Sequence, residues 1–122
     1  MIGYVTLGTN DLARATRFYD ALAGVMGATR GWETEKYVGW TTGPNAPQLL
    51  LIKPADGKAA TVGNGVMVAL AASSKEQVAQ IHRKALELGG KDEGAVGPRG
   101  EDFYAGYFRD LDGNKLCAFF TG

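Results

Sequence analysis

Few side chains in this sequence are of a type and spacing that suit chemistry. Cys117 is the only cysteine and His82 the only histidine. In a strand, residues two apart share a face, so Lys115 lies on the face of Cys117, where a cation lowers a thiol's pKa and favours a nucleophilic thiolate. No histidine is placed to act as its base, and a buried free cysteine is ordinarily an inert small hydrophobe. The structural reading of Cys117 therefore outweighs the nucleophilic one. His82 falls in a helical pattern and reads as an exposed or partly packed helix residue. Glu33, Glu35, Glu101 and Asp102 sit near strand starts or in loops, where carboxylates are usually solvated. Arg99, in Gly97-Pro98-Arg99-Gly100, occupies a loop from which a guanidinium could clamp a carboxylate or phosphate.

The elements that must position these groups recur. Ile2 to Gly8 alternates, with Val5 and Leu7 on one face and Tyr4 and Thr6 on the other. Asn10 or Asp11 caps a helix whose apolar positions are Leu12, Ala15, Phe18, Leu22 and Val25, and Gly27 stops it. Trp32 to Thr42 reads as a strand, Pro44-Asn45-Ala46-Pro47 as a turn and Gln48 to Lys53 as a strand. After a polar stretch from Pro54 to Asn64 the pattern restarts. Val66, Val68 and Leu70 alternate with Met67 and Ala69, Ser73-Ser74-Lys75-Glu76 matches a capping box, and Val78, Ile81, Ala85 and Leu88 line a helix ended by Gly89-Gly90. A loop through Gly97-Pro98-Arg99-Gly100 leads to a strand from Phe103 to Arg109, a turn at Asp110-Leu111-Asp112-Gly113-Asn114, and a last strand from Lys115 to Phe120.

The two halves form an internal repeat. Ala15 falls on Val78, Phe18 on Ile81 and Gly27 on Gly90, each offset by 63 positions, whereas the first strand is offset by 61, which sets Tyr4 on Gly65. The drift is assigned to the strand-to-helix turn, where insertions cost least. The expected architecture is α+β: two tandem βαβββ repeats, at about residues 1–54 and 65–122 around a linker at 55–64, in a single domain. Its curled mixed sheet carries helices on the outer face and encloses a cavity on the concave face. Alternation places Tyr4, Thr6, Met67 and Cys117 toward that cavity, with Trp40, Tyr104 and Tyr107 as walls. Such an aromatic, polarizable lining suits a flat or apolar ligand held by stacking, with hydroxyls setting its orientation.

Composition narrows the field. The chain has 122 residues and 45% hydrophobic content, enough for a core without disulfides or a structural metal. Its 13 basic and 13 acidic residues cancel and are spread along the chain, so no electrostatic footprint for nucleic acid or an anionic membrane is present. A lone cysteine suits a reducing cytoplasm, and a strand pattern directly after Met1 leaves no room for a signal peptide or apolar span.

Tyr4-Val5-Thr6-Leu7-Gly8, Asp11-Leu12, Phe18-Tyr19 and the run Phe108-Arg109-Asp110-Leu111-Asp112-Gly113-Asn114-Lys115-Leu116 resemble the vicinal oxygen chelate superfamily, in particular its small glyoxalase and bleomycin-resistance branch. The likeness covers nearly the whole chain. It implies a concave sheet that holds a divalent metal through inward-facing His, Glu or Gln, in a family whose members include lyases, epimerases, ring-opening dioxygenases and antibiotic-modifying enzymes, and also drug-binding proteins without the metal. Matched residue by residue, those ligand positions fall on Tyr4, Gly65, Cys117 and one of Leu49, Leu50 or Leu51. These do not make the three or four nitrogen and oxygen ligands such an ion needs, so no metal or other cofactor is expected. The resemblance implies a small-molecule binder and a symmetric homodimer. The alternatives are a glyoxalase-type lyase or isomerase, with an atypical metal site or with Tyr4 and Cys117 as acid-base groups, and a catalytically degenerate interaction module.

Overall fold

A computed structural model describes residues 1–122. The chain divides into two compact units, Met1–Val62 and Gly63–Gly122. The first holds β1 (Tyr4–Gly8), α1 (Leu12–Met26), β2 (Thr29–Glu33), β3 (Tyr37–Thr41) and β4 (Gln48–Ile52). The second holds β5 (Val68–Ala71), α2 (Lys75–Glu87), β6 (Lys91–Pro98), β7 (Phe103–Arg109) and β8 (Lys115–Thr121). Each is a βαβββ module with one four-stranded mixed sheet, ordered β1-β4-β3-β2 and β5-β8-β7-β6. The first strand of each module runs parallel to the last, and the other pairs are antiparallel.

Local chemistry sets the helix ends. Asp11 accepts from the Arg14 backbone N–H at 3.0 Å, and Gly27 closes α1 with φ 70°, a conformation that costs glycine nothing. Ser74 caps α2 by accepting from the Gln77 N–H at 3.0 Å, while the Gln77 side chain accepts from the Ser73 N–H at 2.7 Å. The cap is thus built on Ser74 and Gln77, one residue later than Ser73 and Glu76.

Two strands were hidden in the sequence. The segment from Trp32 to Thr42 is the end of β2, a turn, and β3. The stretch before Arg99 is the eight-residue β6. Register shifts break the period-two pattern of both β2 and β6, and both are mostly exposed edge strands, so their side chains do not alternate between core and water.

The repeat offset also differs. The helix caps Asp11 and Ser74 are 63 apart, and so are Thr9 and Ala72, whose N–H groups bond the carbonyls of Ile52 and Phe119 after the first strand of each module. One offset therefore runs through strand, turn and helix, with no two-residue drift. The partner of Tyr4 is Met67, and Gly65 lies before β5 in a turn with φ 91°.

Each core is a helix laid on one face of a sheet. Ala15, Phe18, Tyr19, Leu22 and Ala23 of α1 are buried with Leu7, Val38, Trp40 and Leu51. In the second unit Val78, Ile81, His82 and Ala85 of α2 are buried with Phe108, Leu116 and Ala118. Fully burying each large apolar side chain contributes about 1.5–3 kcal/mol. Neither helix is long and apolar enough to cross a membrane.

Candidate functional site

Helix packing decides which face of each sheet is left for a ligand. In the first unit the Trp40 indole N–H donates to Asp20 of α1 at 2.9 Å, and its ring lies 5.4 Å from that of Tyr19. Trp40 therefore faces the helix and is only 5% exposed, so it is core and not the cavity wall expected from the sequence. Its strand neighbour Gly39 faces the other way, and the register puts Leu50, Thr6, Tyr4 and Gln48 on that helix-free side.

There a different tryptophan takes part. Tyr4 and Trp32 meet edge to face with ring centroids 5.3 Å apart, and they remain 54% and 50% exposed. The Gln48 side chain lies across the sheet over Gly39 and Gly31, and its oxygen accepts from the Trp32 backbone N–H at 3.0 Å. The two glycines leave room for it: a Cβ on Gly39 would sit 2.6 Å from the Gln48 oxygen and force the side chain to shift. The β2 bulge re-aims Trp32, which is why strand alternation could not find it. The signal available was the pair of glycines, which mark a close approach within strands.

In the second unit Gly106 marks the helix side, because a Cβ there would be 3.1 Å from the His82 ring. Alternation puts Tyr104 and Phe108 on the same side, and the Lys75 ammonium of α2 lies 5.5 Å over the Tyr104 ring. Tyr104 and Tyr107, both expected as cavity walls, thus sit on opposite faces of β7, and only Tyr107 is on the helix-free one. The reason is parity: an odd separation in a regular strand reverses the side. With Tyr107 the register groups Phe103, Ala105, Cys117, Phe119, Lys115 and, on β5, Ala69, while Met67 lies just before β5 and is exposed. The Phe103 and Phe119 rings stack at 5.5 Å. The Arg99 guanidinium and the Lys115 ammonium lie 5.5 and 5.6 Å from the Tyr107 ring centroid.

The remaining titratable residues are mostly occupied. His82 is buried, and its Nε2 lies 3.1 Å from Asp92 and 3.2 Å from the Tyr107 carbonyl. The Gly94 N–H, then His82, hold the Asp92 carboxyl below the usual carboxylate range. Glu33 pairs with Arg30, while Glu35, Glu101 and Asp102 are exposed. Cys117 is 1% exposed, and burial pushes its thiol above the ordinary value despite the opposing pull of Lys115. The nearby ammonium is the weaker influence, so the environment holds a neutral thiol and does not favour the nucleophile.

Four-stranded sheets of this kind, each with one face covered by its own helix, recur in solved structures. A family model described as the Glyoxalase/Bleomycin resistance protein/Dioxygenase superfamily matches residues 1–118. The chain belongs to this superfamily. It is similar to a glyoxalase/bleomycin resistance protein from Albidiferax ferrireducens T118, with 37% identity, coverage of 98% of this chain and 97% of that one, and a TM-score of 0.88. A hypothetical protein from S. aureus shows 25% identity over 98% and 92% of the two chains, with a TM-score of 0.74. The likeness to a lactoylglutathione lyase from Agrobacterium tumefaciens, at 22% identity over 98% and 92% with a TM-score of 0.69, is one of fold. No curated protein matches the chain.

The metal implied for the glyoxalase superfamily does not fit these residues. The constant offset makes Met67 the counterpart of Tyr4, in place of Gly65. The pairs Thr6–Leu50 and Ala69–Cys117 then make Leu50, of Leu49, Leu50 and Leu51, the repeat counterpart of Cys117. A phenol, a thioether, an alkyl group and a protonated thiol are a poor donor set for a hard divalent ion, and no three His, Cys, Asp or Glu side chains gather to hold one.

Proposed function

We propose that this glyoxalase-superfamily protein binds a small aromatic or amphipathic molecule on the helix-free faces of its sheets, without the family's divalent ion, and that it does so as a homodimer. The observation that carries the reading is the Tyr4–Trp32 pair, two large rings held at right angles and left half exposed on a sheet face that carries no helix. Exposed aromatic rings with a polar handle favour ligands that stack and accept a hydrogen bond. The donor set described above supports binding without metal. In the second unit Met67 and Val66 are exposed apolar side chains that suit association of two copies.

The chain has two tryptophans, so a proton–nitrogen correlation spectrum contains two indole peaks. Titration with 2-naphthamide in the presence of EDTA should move the Trp32 indole peak, leave the buried Trp40 peak in place, and yield a dimer mass by native mass spectrometry. A Trp32 peak that responds to no planar aromatic compound removes the binding reading. Loss of the response on chelation removes its metal-free part, and a monomer mass removes the dimer.

A further inference from the structure

The helix-free face of the second unit carries an unbalanced cluster of positive charge built around one ring. Arg99 and Lys115 both lie within 5.6 Å of the Tyr107 centroid, and neither forms an ion pair. Arg109, across the register from Lys115, and Lys91, across from Arg109, are further cations on this face, and Arg109 already holds Glu93 at 2.7 Å. Arg99 and Lys115 are thus two cations without a carboxylate partner, both set beside the Tyr107 ring. Two like charges beside one ring repel each other, and an anion between them would relieve that repulsion.

Arg99 is also pre-positioned. Its Nη1 donates to the carbonyls of Gly97 and Pro98 at 3.1 and 3.3 Å, and its Nη2 donates to that of Ala95. These bonds fold the side chain back over β6, beside Gly94 and Gly97. A guanidinium has five N–H donors. With three directed at the backbone, the Nε–H and a second donor stay available, enough for a two-point contact with a carboxylate. Because the loop already fixes the rotamer, a ligand loses little entropy in engaging it.

From this geometry we infer that Arg99, Lys115 and Tyr107 form a subsite for a carboxylate carried on a planar aromatic body, whose ring rests near the stacked Phe103–Phe119 pair on the same face. The inference rests on the small-molecule reading above and names the class of ligand: an aromatic acid. The Tyr107 hydroxyl supplies a further donor, and the two cations supply charge-assisted contacts about twice as strong as neutral ones.

The test uses the full-length protein and two isosteric probes, 2-naphthoate and neutral 2-naphthamide. The acid should bind roughly tenfold more tightly or better than the amide at low salt and shift the amide peaks of Gly94, Gly97 and Tyr107, with the preference shrinking as ionic strength rises. Lys115→Gln and Arg99→Gln should each cut affinity for the acid while leaving that for the amide within twofold. Lys115→Gln leaves the Arg99 loop bonds intact, so it reads the charge even if Arg99→Gln disturbs the loop. Equal affinity for the two probes overturns this inference and leaves the binding reading standing. An acid preference that survives in both variants also overturns it. Binding of neither probe overturns the binding reading and the subsite with it.

Discussion

The thiol of Cys117 should be nearly inert in the folded protein. Its residue is 1% exposed, with its strand neighbours Leu116 and Ala118 fully buried, so a thiol reagent reaches it only when β8 opens. If that opening costs about 5 kcal/mol, the low end of domain stabilities, the reactive fraction falls roughly 5,000-fold at 25 °C. The protonation state adds to this, because burial raises the thiol's pKa and outweighs Lys115. The assay is labelling by a chromogenic disulfide, followed spectrophotometrically for the native protein and for the protein in guanidinium. Native labelling should be at least a thousandfold slower, and its rate should climb with pH without a midpoint below about 8.5, the ordinary thiol value. Lys115→Met, which removes the one influence lowering the pKa, should not speed it. The linkage has a definite sign: a group whose folded pKa is raised stabilises the fold below its unfolded pKa, and that contribution is lost as pH rises through the folded value. Any weakening from this group therefore falls at alkaline pH, above about 8.5. Native labelling within tenfold of the denatured rate, with a midpoint below that of a free thiol, would refute the reasoning and restore Cys117 as a nucleophile.

Two further outcomes follow from the first unit. Gly39→Ala should destabilise it by about 1–3 kcal/mol in urea titration, since the new methyl would meet Gln48 at 2.6 Å and Leu50 at 3.0 Å. It should also shift the Trp32 backbone amide peak by displacing the oxygen it donates to, and an unchanged peak would show that Gln48 does not hold the bulge. Asp20 is held below the usual carboxylate range chiefly by its hydrogen bonds from Arg30, so its contribution is present above its unfolded pKa of about 3.9 and lost as pH falls through the lower folded value. Because the pair is well exposed, Asp20→Asn should cost no more than about 1 kcal/mol at pH 7, and the difference from wild type should shrink on acid titration of thermal stability.

Much of the fold was legible because it depends on local patterns. The spacing of Ala15, Phe18 and Leu22, the cap at Asp11 and the stop at Gly27 state a helix without reference to anything distant, and the cap and spacing reappear 63 residues on at Ser74, Val78, Ile81 and Ala85, although α2 ends earlier, with its C-cap at Leu88. The turn from Asp110 to Asn114 is equally local: the Asp110 carboxylate accepts the N–H groups of Asp112 and Asn114, each at 2.9 Å. Regular alternation likewise placed Tyr4, Thr6 and Cys117 on the helix-free faces, because in an unbroken strand parity alone sets direction.

What the sequence could not determine was which tryptophan faces the helix and which cation is directed where. Trp40 is taken into the core by Asp20 and Tyr19, twenty and twenty-one positions away, while a bulge turns Trp32 toward Tyr4 on the far strand of the sheet. The gathering of Arg99 and Lys115 on Tyr107 needs three segments and two irregular registers in β6. The thiol's protonation is set by burial that only packing produces, since the sequence shows the neighbouring ammonium and not the missing water. Periodicity is a property of the chain, whereas bulges, partners and desolvation arise only once strands have paired.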